Sequence, residues 1–373
     1  MASLDAAGMM DVMSDIKAFA PGRVELLGNH TDYNGGVVLS AAIQMGITAV
    51  GRRRDDGKIV LTTEGINGVV AIDRKAGLKP RDSWEDYPLG VAEMLAKAGA
   101  TPGGFEASYS ATLPLGAGLS SSAALEVATA VLLTKLYPFD ISPLDLAKVC
   151  RRAENEFVGV SCGLLDQVSS IFGKKDHVIY LDCRAETVDL IPFPHNLGLL
   201  IVHSGVKHAL TGGEYNERRD QCFEAAAKMG AAALRDVTSA ELAAAKLPPL
   251  VKKRAAHIVG ENERVFQALT FLREGKGDDF GKLMTASHRS SMENFQNSTP
   301  ELDALVEIAI RQTGCHGARL TGGGFGGAIV ALVELSDIDR LSEVIVAEYH
   351  KSTGHSGKAF RCLVSDGALA ASN

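Results

Sequence analysis

The residues best suited to chemistry sit in a short run, LPLGAGLSSSAA, at positions 113–124. It follows a strand-like segment and opens a helix-like one. Gly116 and Gly118 let the backbone approach a ligand closely. Ser120, Ser121 and Ser122 put three hydroxyls at the helix start, where unpaired N–H groups and the positive end of the helix dipole favour an anion such as a nucleotide phosphate. A serine hydroxyl is also a suitable hard ligand for Mg²⁺. The run is not a Walker A loop, because it lacks the Gly-Lys-Ser/Thr ending; a Gly/Ser turn that merely caps a helix would look the same. A second cluster, TGGGFGG at 321–327, precedes a strand and reads equally as a flexible turn or a ligand loop. Asp166 lies in CGLLDQ, among apolar neighbours where a solvated charge is not expected, although a helix cap is an alternative. On local pattern alone, Glu154 in RRAENEF is an exposed helix carboxylate and the lone Trp84 is core packing.

These groups need a scaffold, and strand and helix signals alternate along the chain without a fixed repeat. Residues 36–48 read as a buried strand pair. Segments 47–53 and 58–63 flank Asp55-Asp56-Gly57 and predict a hairpin. Helices are predicted over 84–98, 121–137 and 143–158, a strand over 105–111, and a second hairpin over 177–181 and 187–191. Proline removes a backbone donor and restricts its neighbour, so Pro192-Phe193-Pro194 marks a boundary between domains 1–193 and 194–373. Beyond it the pattern predicts a strand at 197–202, helices at 214–229, 239–245, 252–274 and 301–313, and then strand 328–334, helix 338–353 and strand 358–364. The fold class is α+β, with two such layers meeting at a cleft.

The bulk properties agree with a two-domain globular enzyme. The 373 residues exceed one compact core, and 46% hydrophobic residues can fill two. A net charge of -7 argues against a general nucleic-acid partner. The six cysteines form no CxxC pair, fitting neither a zinc site nor a disulfide scaffold, and suggest a reducing compartment. The first 16 residues lack the basic and apolar regions of a signal peptide, and no apolar stretch is long enough to span a bilayer. A cytoplasmic protein without a membrane partner, acting as a monomer, is the expectation.

Taken with PGRVELLGNHTDYNGG at 21–36, the two glycine motifs form a specific set. The chain resembles galactokinases of the GHMP kinase superfamily over nearly its full length. Residues 23–36 look like the N-terminal signature, 113–124 like the phosphate loop, 317–327 like the third motif, and 204–219 is similar as well. The resemblance implies a two-domain fold: a mixed-sheet N-terminal domain, a C-terminal domain with a ferredoxin-like element, and ATP and sugar in the cleft between them. It places Trp84 and Tyr87 near adenine, Ser122 and Glu154 at Mg²⁺, and the loop from Gly116 and Gly118 to Ser120 and Ser121 around the phosphates. It makes Asp166 the catalytic aspartate facing the anomeric hydroxyl, with Arg23 beside it. A guanidinium there keeps the carboxylate ionised and can stabilise the transferred phosphoryl. Asp32 and Tyr215 would bind the sugar, with Asn29, His30 and the backbone near Gly163 close by.

One position departs from that pattern. Galactokinases usually read Gly-Glu-His-Thr-Asp-Tyr, with the Glu near the sugar C6 hydroxyl, whereas this chain reads Gly28-Asn29-His30-Thr31-Asp32-Tyr33. A neutral amide would not repel a C6 carboxylate. The expected reaction is ATP-dependent phosphorylation of galactose at its anomeric hydroxyl. A C6- or C2-modified sugar, such as galacturonate or N-acetylgalactosamine, is the alternative substrate. A non-catalytic sugar sensor is the third reading; the intact Ser121-Ser122-Ala123-Ala124 run, with Arg23, Glu154 and Asp166, weighs against it.

Overall fold

A computed structural model describes residues 15–114, 118–206 and 213–370. Gly116 lies outside the described residues. Among the described residues there are two sheets. The larger has seven strands: β1 (Ile16–Leu27), β2 (Val37–Arg54), β3 (Lys58–Thr63), β4 (Ile66–Asp73), β5 (Gly104–Ala111), β6 (His177–Asp182) and β7 (Thr187–Pro192), in the order β4-β3-β5-β2-β6-β7 with β1 paired to β2. It is mixed, because β3 runs parallel to β5 while the other pairs are antiparallel. The smaller sheet is antiparallel and contains β8 (Leu197–His203), β9 (Cys315–Thr321), β10 (Ala328–Glu334) and β11 (Lys358–Cys362), in the order β11-β8-β10-β9. Counting within this sheet the order is 4-1-3-2, and a helix joins the third strand to the fourth, which is the ferredoxin-like arrangement.

Helices α1 (Asp86–Lys97), α2 (Ser121–Leu136), α3 (Pro143–Arg152) and α4 (Leu165–Phe172) belong to the first half of the chain. α2 is apolar nearly all round, as a helix buried on every side must be. Helices α5 (Gly213–Lys228), α6 (Ser239–Ala244), α7 (Pro249–Arg273), α8 (Gly277–Ser290), α9 (Pro300–Ile310) and α10 (Ile338–Thr353) follow. The largest core is continuous across both halves: Leu199, Ile201, Val330 and Leu332 belong to the same buried cluster as Val24, Leu39 and Val131. The cleft is therefore a surface feature above one shared core.

Two local expectations are corrected. Residues 36–48 are not a strand pair but part of one 18-residue strand, β2, whose edge opposite β1 is shared by β6 at Val37–Ser40 and β5 at Ile47–Arg54. The turn at Asp55-Asp56-Gly57 exists, but it joins strands that do not pair, because β5 lies between β2 and β3. The turn crosses the start of β5 at Gly104, where a Cβ would sit 2.9 Å from the Arg54 carbonyl oxygen and from Gly57 Cα. Turn chemistry reports a reversal of direction, not whether a third strand enters the gap. The predicted helix 143–158 also changes character, ending as α3 at Arg152 and continuing as a π-turn over Ala153–Val158.

Candidate active site

Strand β1 supplies the first charged group. Register shifts on either side of Arg23 and Glu25 interrupt its pairing with β2, and Pro21 sits at the first of them, where a missing donor costs least. Successive strand residues face opposite ways, so Val24 and Leu26 enter the core while Arg23 and Glu25 share the other face. Arg23 donates from Nε to Asp166 Oδ1 at 2.7 Å and from Nη2 to Oδ2 at 2.8 Å. Its Nη1 donates to the Gly118 carbonyl at 2.7 Å. Asp166 stands in the first turn of α4, where a negative charge suits the helix dipole. It also accepts from Ser120 Oγ at 2.5 Å. Ser120 holds a left-handed backbone, φ 55°, which a non-glycine residue rarely adopts. Arg23, Asp166, Ser120 and Gly118 are thus one connected unit at the opening of α2.

A pocket of about 190 Å³ opens beside this unit. Seven of the residues singled out in the sequence line it: Arg23, Asn29, His30, Asp32, Gly163, Asp166 and Tyr215. Gly163 permits the close approach of Asp32, since a Cβ there would lie 2.0 Å from Asp32 Oδ2. Burial pushes the Asp32 carboxyl up to about 6, helped by the charges of Glu25 and Asp166 and opposed by backbone hydrogen bonds. Burial likewise pushes the Tyr215 phenol up, with Asp32, Glu25 and Asp166 adding to it. His30 is held from both ring nitrogens. Nε2 donates to the Gly323 carbonyl and Nδ1 accepts from Tyr33 Oη, each at 2.9 Å. Burial lowers its pKa to about 4, so it stays neutral at pH 7. Packed between Tyr215 and Phe295, with ring centroids at 5.0 and 4.6 Å, it serves as a post for the pocket wall.

Asn29 borders the pocket, and each of its amide atoms has a protein partner. Nδ2 donates to Glu25 Oε1 at 3.0 Å and to the Gly322 carbonyl at 2.8 Å, and Oδ1 accepts from Asn297 Nδ2 at 2.9 Å.

A second acid-bearing corner lies behind Cys162. The π-turn presents Glu154 inward, so it is buried and not the exposed helix carboxylate that its local pattern suggests. Ser122 lies beside it, its hydroxyl favouring the ionised carboxylate. Gln167 Nε2 donates to Glu154 Oε2 at 2.9 Å and to Glu126 Oε2 at 3.0 Å, and Cys162 Sγ donates to Glu154 Oε2 at 3.2 Å. Burial and the neighbouring carboxylates push both Glu126 and Glu154 up. Glu126 Oε1 is buried without a partner. A hydroxyl and a carboxylate in contact, with no cation among their partners, suit Mg²⁺, which commonly takes one or two protein oxygens and completes its shell with water and phosphate.

The remaining predicted residues sit farther from the pocket lining. Ser121 opens α2 half-buried. Tyr87 lies near the acid corner, its phenol pushed up by burial and then by Glu154 and Glu126. Trp84 packs edge-on against Tyr109 at 5.9 Å and against the main core. Several supporting residues were not singled out from the sequence. Glu261 on α7 accepts from the backbone N–H groups of Gly28 and Asn29 at 2.9 and 3.0 Å, and Asn262 accepts from that of Val37 at 3.1 Å. Both fix the 28–37 loop from the other half of the chain. Glu25 completes the wall, with Asn297 and Arg319 buried behind it. The available signal was charge in the wrong place: Glu126 alone in apolar α2, and Glu25 two residues after Arg23 in an apolar strand.

Comparison with known proteins agrees with this architecture. The galactokinase galactose-binding signature matches residues 12–53, the GHMP kinases N terminal domain matches 86–174, and the GHMP kinases C terminal domain matches 268–351. A galactokinase from Mannheimia succiniciproducens is 40% identical over 365 residues, spanning 95% of this chain and 94% of its own. One from Pasteurella multocida is 40% identical over 370 residues, spanning 94% of each. The crystal structure of Lactococcus lactis galactokinase complexed with galactose superposes with a TM-score of 0.91 at 33% identity, covering 95% of this chain and 94% of that one. Methanococcus jannaschii mevalonate kinase, at 21% identity and a TM-score of 0.68, shares the fold. With this identity sustained along nearly the whole chain, it belongs to the galactokinases of the GHMP kinase family.

Proposed function

We propose that the protein transfers the γ-phosphoryl group of ATP to the anomeric hydroxyl of galactose. The observation that carries this reading is the Arg23–Asp166–Ser120 unit, which joins the phosphate loop to the sugar pocket. Asp166 orients the anomeric hydroxyl and accepts its proton. Arg23 fixes the Asp166 carboxylate through two hydrogen bonds and lies where it can offset charge on the phosphoryl in flight. The phosphate loop binds the nucleotide anion at the start of α2. Asp32 and Tyr215 bind sugar hydroxyls, and Gly163 lets Asp32 sit close against the pocket floor. Positioning of this kind accounts for most of the rate in phosphoryl transfer.

Ser122 and Glu154 would hold Mg²⁺, which when bound neutralises charge on the nucleotide phosphates. Trp84 and Tyr87 flank the adenine side. The intact loop and the complete Arg23–Asp166 pair argue for catalysis over sensing. No helix among the described residues is long and apolar enough to cross a membrane. The free cysteines suit a cytoplasmic setting, and action as a monomer is part of this reading. The test is ADP release with ATP and a panel of galactose, galacturonate, glucose, N-acetylgalactosamine, 2-deoxygalactose and fucose. Galactose should give the highest kcat/KM; no sugar-dependent ADP release from folded, ATP-binding protein would defeat the reading.

A further inference from the structure

Glu25 is a carboxylate of the pocket that the roles above leave unused. It sits on the same face of β1 as Arg23, nearly buried, and lines the pocket next to Asn29 and Gly322. Only one of its oxygens is engaged among the described residues. Oε1 accepts from Asn29 Nδ2 at 3.0 Å and from Arg319 Nη1 at 3.2 Å, while Oε2 has no hydrogen-bond partner. A carboxylate oxygen held at the wall of a pocket without a donor is an acceptor for a ligand hydroxyl. Asn29 is less suited to that role, because it is only 1% exposed. Its two amide hydrogens and its oxygen all have protein partners.

Charge at this wall follows the same division. The side chains bordering the pocket include the carboxylates of Glu25, Asp32 and Asp166. Arg23 is paired with Asp166, and Arg319, fully buried behind Glu25, reaches Oε1 alone. The influence of Glu25 on its neighbours is visible in the upward displacement of Asp32 and Tyr215, although burial is the larger cause in both. A neutral sugar presenting a hydroxyl fits this wall. A sugar carrying a carboxylate would face like charge in a desolvated site, where repulsion is weakly screened.

We propose that Glu25 is the specificity-determining carboxylate of the sugar pocket, accepting a hydrogen bond from a hydroxyl of the neutral sugar through Oε2 and excluding uronates, while Asn29 only orients it. This rests on the galactokinase reading. It means that the neutral residue at position 29 does not open the site to galacturonate, because the charge is supplied four residues earlier in the chain.

The test uses the full chain with Glu25→Gln and Glu25→Asp, measuring galactose turnover and the Kd of galactose and galacturonate by calorimetry. Glu25→Gln removes the charge at nearly constant shape. It should weaken galactose about 10- to 100-fold, mostly in KM, the range for losing a hydrogen bond to a charged group. The galactose-to-galacturonate preference should fall by at least about tenfold, since removal of a like charge helps only the uronate. Glu25→Asp keeps the charge and the chance to pair with Arg319 but withdraws the free oxygen. It should weaken galactose and still exclude galacturonate, and it covers the case in which Glu25→Gln leaves Arg319 unpaired and fails to fold. Equal losses for both sugars in Glu25→Gln, or wild-type galactose turnover in Glu25→Asp, would overturn the proposal. Failure of the wild type to turn over galactose is a separate outcome, which strikes the activity reading instead.

Discussion

Asp166 meets a guanidinium through two hydrogen bonds, whereas Glu154 meets only a hydroxyl, a thiol and an amide, with a second carboxylate sharing that amide. The two corners belong to the same cleft and are tied together in sequence, because Asp166 and Gln167 are neighbours on α4. They differ in where the balancing charge comes from. At Asp166 the protein supplies it, so the carboxylate is paired and oriented before any ligand arrives. At Glu154 the protein withholds it, and burial together with neighbouring carboxylates disfavours the ionised form. A cation entering that corner is favoured because none is already there. The lesson is one of division of labour: a guanidinium-paired carboxylate at the pocket, and a charge deficit in a corner that a cation would suit.

The sharpest break in this comparison is Asp166→Asn. It keeps the shape but removes the acceptor charge that Arg23 is built to face. We expect kcat to fall about 10²- to 10⁴-fold, the usual contribution of a positioned acid or base, while ATP binding measured by calorimetry stays near wild type. Unchanged kcat would remove Asp166 from the reaction.

Glu261 offers a second protein-balanced carboxylate, this time structural. Burial alone would raise its pKa, but Arg264, His257 and Arg319 outweigh that and hold it well below the usual carboxylate range. Its oxygens take Arg264 Nε at 2.6 Å and the two backbone N–H groups of the sugar loop. Glu261→Ala leaves the part-buried Arg264 without its carboxylate and the buried N–H groups of Gly28 and Asn29 without an acceptor, so unfolding in urea should show a loss of about 3–5 kcal/mol. The sign with pH follows from the lowered folded value. The contribution of Glu261 is full above the normal carboxylate pKa and is lost as pH falls toward the folded one, so the gap between wild type and variant should narrow in acid. A gap that stays constant with pH would mean that packing, not charge, is lost.

Much of this arrangement was legible in the chain itself, and the reasons for success and failure are local. Apolar runs such as those of α2, β8 and β10 declare themselves, and the phosphate loop combines turn chemistry with a helix start. The β2–β3 connection was misread because hydrogen-bonding partners are set by tertiary contacts: β5, about fifty residues downstream in order, takes the place between them. Glu154 was visible as a residue but its burial was not, since that depends on a π-turn after Arg152. Asn29 lines the pocket, but its partners Gly322 and Asn297 come from nearly 300 and 270 residues away, beyond the reach of any spacing rule.

The metal corner should respond differently from the Asp166 corner. Ser122→Ala and Glu154→Ala should each raise the Mg²⁺ concentration for half-maximal activity about 10- to 100-fold, as disturbance of a metal site and its support typically does. Excess Mg²⁺ should restore part of the rate, and chelation by EDTA should abolish activity in wild type and variants alike. No such rescue is expected for Asp166→Asn. If both variants titrate as wild type does, the metal is held by other groups and the deficit at Glu154 has another purpose.

The smallest effect expected lies between the two extremes, at Asp32. Among the described residues it has no guanidinium partner, and it faces Glu25 and Asp166 across the pocket while packing against Gly163. Burial first, and those two charges after it, push its carboxyl up to about 6, against backbone hydrogen bonds that favour ionisation. Above that pH it is charged and can accept two sugar hydroxyls. As pH falls through about 6 it takes a proton and becomes a donor on one side, so one acceptor position is lost. For galactose, kcat/KM should therefore decline below about pH 6, approaching tenfold per unit if ionised Asp32 is essential, with ATP binding little changed. Asp32→Asn should be slower throughout but flat across this interval. The informative measurement is the pair of pH profiles for kcat/KM. If the acid limb near 6 persists in Asp32→Asn, another group titrates there, and Asp32 is charged at all working pH values like the carboxylates that the protein balances itself.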